Sequence, residues 1–270
     1  MTNPKKIKIY GLLLIVAIIL LAVAINFFNS KVPKVINDND QIEKTTATTE
    51  NSSPLADIKT PTPEITAPAP ETAVPAPKNP NLLNLQIPFT PQAPTGNWDK
   101  LHNEACEEAS AIMANAYLTG DRNAVIPATR VEKEISDLTV WQDKNLGYHL
   151  DSTTEETARM IEGFYGLQAK VFNDYTLADI KRELNLQHVV ILPVNGRVIG
   201  NPNYKQPGPI YHMLVIRGYT ETKLITNDSG TRLGQNYSYA FKTLYSAGAD
   251  WDHKTDTIDQ SKKLMIVVSK

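Results

Sequence analysis

Cys106 is the only cysteine in 270 residues, and it stands in HNEACEEASAIMANAYL, residues 102–118, beside Glu104, Glu107 and Glu108. With no second cysteine to pair with, its chemistry is that of a free thiol. Ala109, Ile112, Met113, Ala116 and Tyr117 recur at i, i+3, i+4, i+7 and i+8, so a helix is expected, with Asn103 as N-cap and Cys106 in the first turn. Unpaired N–H groups and the dipole at a helix start favour a thiolate. The three glutamates act the other way, because neighbouring negative charge disfavours a second anion. A reactive thiol in this place needs a cation beside it, and an imidazolium is the natural candidate.

Of the five histidines, His102 precedes the helix, His149 sits in a polar loop, His188 begins a strand and His253 lies in DWDHKTD. His212 differs, because it stands at the opening of the apolar strand YHMLVIRGY, just after the turn-rich NPNYKQPGP. A buried imidazole at a strand start requires partners for its ring nitrogens. The following strand, KLITND, ends at Asp228. With Thr220, Glu221 and Thr222 as the hairpin loop, Tyr219 pairs with Lys223 and His212 lies opposite Gly230. Asp228 is then a diagonal neighbour of His212 on the same face, a spacing of roughly 7–8 Å. A two-residue loop would turn Asp228 to the other face.

Cys106, His212 and Asp228 would supply thiolate attack, proton transfer and orientation of the imidazole, as thiol acyl transfer requires. The sulfur is expected about 3–4.5 Å from a His212 ring nitrogen. Gln92, in the upstream loop LQIPFTPQAPTGNW, is the candidate donor to the oxyanion. This chemistry calls for no metal or organic cofactor. Asp250, Asp252, His253 and Asp256 in DWDHKTD have neither EF-hand nor zinc spacing and are expected to form a solvated loop. The loop GNPNYKQPGPIY is expected at the rim of the site, with Tyr204 or Lys205 touching substrate.

The elements that must position these residues occupy only part of the chain. Residues 1–8 carry Lys5, Lys6 and Lys8, and residues 9–28 are apolar apart from Asn26. That length matches the ~20 residues needed to cross a bilayer, and the lysines favour a cytoplasmic N-terminus. Cleavage of a signal peptide after Ala22–Ala24 is the alternative, and it also leaves the remainder outside the cytoplasm. Residues 29–80, including TPTPEITAPAPETAVPAPKNP, form a Pro-, Thr- and Ala-rich linker, expected to be disordered and extended because proline removes donors and fixes φ. The globular domain is expected over residues 81–270. The net charge of −2 and the scattered Lys and Arg argue against a nucleic-acid partner.

Within that domain, STTEETARMIEGFYG and TLADIKRELN carry helix signals, the first opening on Ser and Thr before acids and closing at Gly163 or Gly166. HVVILPV, HMLVIRGY, KLITND and KLMIVVS have strand composition. Helices first and antiparallel strands after them indicate an α+β domain.

IPFTPQ, NEACEEASAIMANAYL, IYHMLVIRGY and ITNDSGTRLG together resemble the papain-like cysteine peptidase family C thirty-nine, and in particular its stand-alone, secreted or anchored members. The resemblance spans about residues 82 to 260. It implies a papain-like fold with N-terminal helices packed on an antiparallel sheet. It also implies that the nucleophile falls on Cys106, the base on His212, the orienting acid on Asp228 and the oxyanion glutamine on Gln92. The family usually follows its cysteine with Gly-Pro, where this chain has Glu107-Glu108. No phosphate-binding GxxxxGKS follows, so leader trimming coupled to export is not implied. The expectation is an extracytoplasmic, membrane-anchored cysteine peptidase acting on a peptide or protein. A cell-wall peptide amidase and an inactive binding module of the same fold are the alternatives.

Overall fold

A computed structural model describes residues 81–270. The expected N-terminal tail, anchor and linker of residues 1–80 lie outside the described residues. Among the described residues, no helix is long and apolar enough to cross a membrane.

Helix α1 covers Lys100–Asn103, α2 Cys106–Leu118, α3 Ala128–Asn145 and α4 Thr154–Met160. Helix α4 continues as a π-helical turn over Ile161–Tyr165 and closes at Gly166. Thr153 caps α4 and Thr176 caps α5, Leu177–Asn185, each in a reciprocal box with the acid three residues on. The expected cap of the cysteine helix is different. Ala105 occupies that position without a side-chain bond. Asn103 ends α1 instead, its amide donating to the carbonyls of Trp98 and Asp99. The 18-residue α3 has no counterpart among the sequence expectations. Its buried Val131, Ile135, Leu138 and Gln142 are spaced four, three and four residues apart, a single helical stripe that periodicity could have revealed.

The strands are β1 (Leu83–Asn84), β2 (Gln168–Asn173), β3 (Val189–Val194), β4 (His212–Tyr219), β5 (Lys223–Asn227), β6 (Gln235–Ala240) and β9 (Leu264–Ser269). They form one antiparallel sheet in the order β2-β9-β3-β4-β5-β6, with β1 paired to the end of β4. β2 and β6 were not expected, since QAKVFN and QNYSYA mix polar residues into short segments. β3 and β4 are buried at every position, because helices cover the sheet and leave these strands no solvent face. Helix α2 packs on β4, and α5 packs on β3 and β4.

Two short helices, α6 (Gly196–Ile199) and α7 (Phe241–Ala247), join strands. Of DWDHKTD, His253–Asp256 form an exposed turn, as expected of a solvated loop, while Asp250–Asp252 form strand β7, paired in a hairpin with β8 (Thr257–Asp259). Asp250 is buried and accepts from the N–H and hydroxyl of Thr154, so a carboxylate holds the first turn of α4, where N–H groups lack intrahelical acceptors.

Candidate active site

β4 and β5 bring His212 to Asp228, and a bulge sets their register. Next to the turn, Tyr219 pairs with Leu224 rather than with Lys223, and Gly218 pairs with Ile225. Continued unchanged, that register would turn Asp228 away from His212. The pairing shifts at Arg217, so that Ile216 faces Thr226 and Val215 faces Asn227, the register expected for a shared face. Arg217 is buried and donates to Asn84 Oδ1, Asn227 Oδ1 and the carbonyl of Leu85, which ties the bulge to its neighbours.

His212 Nε2 lies 2.9 Å from Asp228 Oδ1, with the two side chains 1% and 0% exposed. Asp228 also accepts from the hydroxyls of Tyr204 and Tyr239, the amide of Asn201 and the N–H of Gly230. Burial works against its ionisation. The hydrogen bond and charge of His212, with the two tyrosine hydroxyls, outweigh burial and hold Asp228 at about 2. The Tyr204 ring stands edge-on to His212, their centroids 5.6 Å apart. A Cβ at Gly230 would lie 2.8 Å from the Tyr204 ring and 3.1 Å from His212 Cε1, so only glycine leaves both rings in place. Tyr204, expected at substrate, thus has its hydroxyl on Asp228. Asn201 and Tyr239 were not anticipated, because their contact depends on a loop and a strand folding back over the carboxylate.

Cys106 begins α2 and is 4% exposed. Its sulfur accepts from the N–H of Met213, the residue after His212, at 3.3 Å. The thiol itself donates to Glu107 Oε2 at 3.0 Å. The hydrogen bonds of the sulfur thus go to Met213 and Glu107. Burial pushes the thiol well above its ordinary value, the Glu107 and Glu108 charges add to that, and only the Met213 N–H opposes it.

Glu107 and Glu108 do not extend into solvent as helix-start acids usually do. Both are buried, and each has one carboxyl oxygen with no hydrogen-bond partner. Glu108 accepts from the Gln142 amide, whose oxygen accepts from Ser152. Burial raises Glu108 to about 7 against the Gln142 hydrogen bond, and burial with the Glu108 charge drives Glu107 well above the carboxylate range.

Gln92 is buried, and its backbone N–H donates to the carbonyl of Ser229, beside Asp228. Its side-chain Nε2 donates to the carbonyls of His102 and Asn103, while Oε1 has no partner. The amide is therefore fastened to the end of α1, just before α2. His102 is held on both ring nitrogens, Nδ1 by Asp99 and Nε2 by Glu132, at 2.8 and 2.9 Å, which leaves it no part in the cysteine site.

A cavity of about 1020 Å³ borders these residues, with Gln92, Tyr204, Tyr211 and Gly230 in its wall; Lys205 lines it too. Cys106 and His212 are not part of that wall.

An antiparallel sheet covered by helices, with a cysteine at a helix start against the strand that opens on a histidine, defines a peptidase-like α+β domain. The profile described as Peptidase_C39 like family matches residues 84–257, and the chain belongs to that family. A solved structure assigned as a C39-like peptidase from Bacillus anthracis is similar, with 12% identity and a TM-score of 0.44, over 70% of this chain and 98% of that one. No curated protein matches the chain.

Proposed function

We propose that the protein is a cysteine peptidase that cleaves peptide bonds through Cys106, His212 and Asp228 on a papain-like frame, with its domain outside the cytoplasm. The observation that carries this reading is the buried His212–Asp228 hydrogen bond beside a cysteine whose sulfur rests on the next residue of the same strand. Family membership supports it. Asp228 occupies Nε2, so Nδ1 is the ring nitrogen that takes the thiol proton. The thiolate attacks the carbonyl carbon, and the oxyanion accepts from the Cys106 N–H at the open end of α2. Gln92 joins as second donor by exchanging one of its two carbonyl partners for the oxyanion. The imidazolium then protonates the leaving amine, and water hydrolyses the thioester.

A binding module without turnover is the second reading, favoured by the Cys106–Glu107 hydrogen bond, which with Glu107 ionised stabilises the thiol over the thiolate. Digestion of a peptide library and of muropeptides by the full chain, set against Cys106→Ala, separates the readings. Cleavage abolished by the substitution supports the peptidase, and cleavage confined to muropeptides redirects it to the cell wall. Binding without cleavage supports the module.

A further inference from the structure

Glu107 touches the sulfur, yet the steps above give it no task. It is 2% exposed, its Oε2 meets the thiol, and its Oε1 has no hydrogen-bond partner. A carboxylate this deep requires a cation or several donors. The titratable groups that face it are Cys106 and Glu108 from its own helix, Asp151 from the loop before α4 and Tyr211 from the segment before β4. None of them is a cation. His149 acts on Glu108, and His212 on β4 is committed to Asp228. Among the described residues, neither Lys nor Arg forms an ion pair with Glu107 or Glu108. A protonated carboxyl meets both demands: it is neutral where water is excluded, and its O–H can turn to the sulfur when negative charge develops there.

We propose that Glu107 is a catalytic residue that works in its protonated form, donating a hydrogen bond to the Cys106 thiolate, so that ionisation of Glu107 shuts the site. This rests on Cys106 being the nucleophile. The thiol proton moves to His212 Nδ1, and Glu107 keeps its own proton. The resulting sulfur anion accepts from the Glu107 O–H and the Met213 N–H. Attack forms the sulfur–carbon bond, and the imidazolium later returns its proton to the leaving amine. Once Glu107 loses its proton to solvent, its charge opposes the thiolate at hydrogen-bond distance, and the sulfur stays protonated. Burial and the Glu108 charge favour retention of the carboxyl proton and outweigh the hydrogen bonds from the Cys106 thiol and from Glu107's own backbone N–H. Glutamine at this position keeps a donor and cannot ionise.

The test is the rate of Cys106 alkylation by iodoacetamide in the full chain, followed from about pH 4 to pH 9. The wild-type rate should fall by about tenfold as pH rises through the Glu107 titration, where an ordinary thiol would become faster. Glu107→Gln should remove that fall. Glu107→Ala should be slow on the acid side as well, with glutamine restoring the rate. A wild-type rate that simply rises with pH overturns the proposal without requiring any variant to fold, and so does the same fall in Glu107→Gln. Cys106 unreactive at every pH in both proteins would sink the nucleophile reading and this role together. Peptide hydrolysis with a pH profile unchanged in Glu107→Gln would remove the role of Glu107 alone.

Discussion

A carboxylate kept ionised out of water needs a full shell of donors, and Asp228 has one from His212, Tyr204, Tyr239, Asn201 and the Gly230 N–H. Its folded value of about 2 lies below the ~3.9 of an unfolded aspartate. The stabilisation is therefore present above about pH 4 and lost as pH falls toward about 2, on the order of 2 kcal/mol. Tyr239→Phe removes one hydrogen bond to the charge and should cost about 1.5–3 kcal/mol in urea unfolding at neutral pH. It should also move acid unfolding to higher pH. Gln92 is a different case: as the proposed second oxyanion donor it would act in the transition state, in addition to the bonds its amide makes to His102 and Asn103. On a verified substrate, Gln92→Ala should lower kcat by roughly 10²–10³, about 2.7–4 kcal/mol. Alkylation of Cys106 should persist, because the groups that bond the sulfur are Glu107 and Met213, whereas the Gln92 amide is bonded to the carbonyls of His102 and Asn103. A change in kcat within about twofold would assign oxyanion donation to the Cys106 N–H alone.

At the scale of elements, the β4–β5 hairpin is corrected once along its length. Arg217 absorbs the extra residue, and the next residue, Gly218, lets β1 approach. A Cβ on Gly218 would stand 2.1 Å from the carbonyl oxygen of Leu83 and 2.8 Å from Asn84 Cα. Both are backbone atoms that no rotamer change can move. Gly218→Ala should therefore displace β1 and destabilise the domain by roughly 1–3 kcal/mol. Hydrogen exchange would locate the damage, because the Leu85 N–H, which donates to Arg217 at 2.8 Å, should lose protection first. Unchanged protection at Leu85 would mean that β1 tolerates the displacement.

For the whole molecule, the apolar segment at residues 9–28 and the Pro-rich segment after it predict a domain held outside the cytoplasm on a membrane-bound tether. In fractionation of cells expressing the chain, it should stay with the bilayer. Protease added from outside is expected to cut between residues 29 and 80, because a proline-rich sequence is expected to leave its backbone unpacked, and to spare residues 81–270. A soluble mature protein beginning at Ile25 would show that residues 1–24 are a cleaved signal peptide.

The sequence was most informative where the physics is local. Ser and Thr before acidic residues marked the start of the helix that Thr153 caps, and TLADIKRELN was legible as a helix, its cap at Thr176 being added by the structure. The apolar runs from Val189 to Val194 and from His212 to Tyr219 marked the central strands. Residue type and chain order were enough to nominate Cys106, His212, Asp228 and Gln92. Tertiary structure alone decided the rest, because the deciding contacts join residues far apart in sequence. The face of Asp228 depended on one bulge at Arg217, and its donors come from a loop at Asn201 and Tyr204 and a strand at Tyr239. The direction of the Cys106 thiol was likewise not legible. A glutamate at a helix start ordinarily faces water, and only the packing of α2 under β4 and against α3 buries Glu107 and Glu108 beside the sulfur.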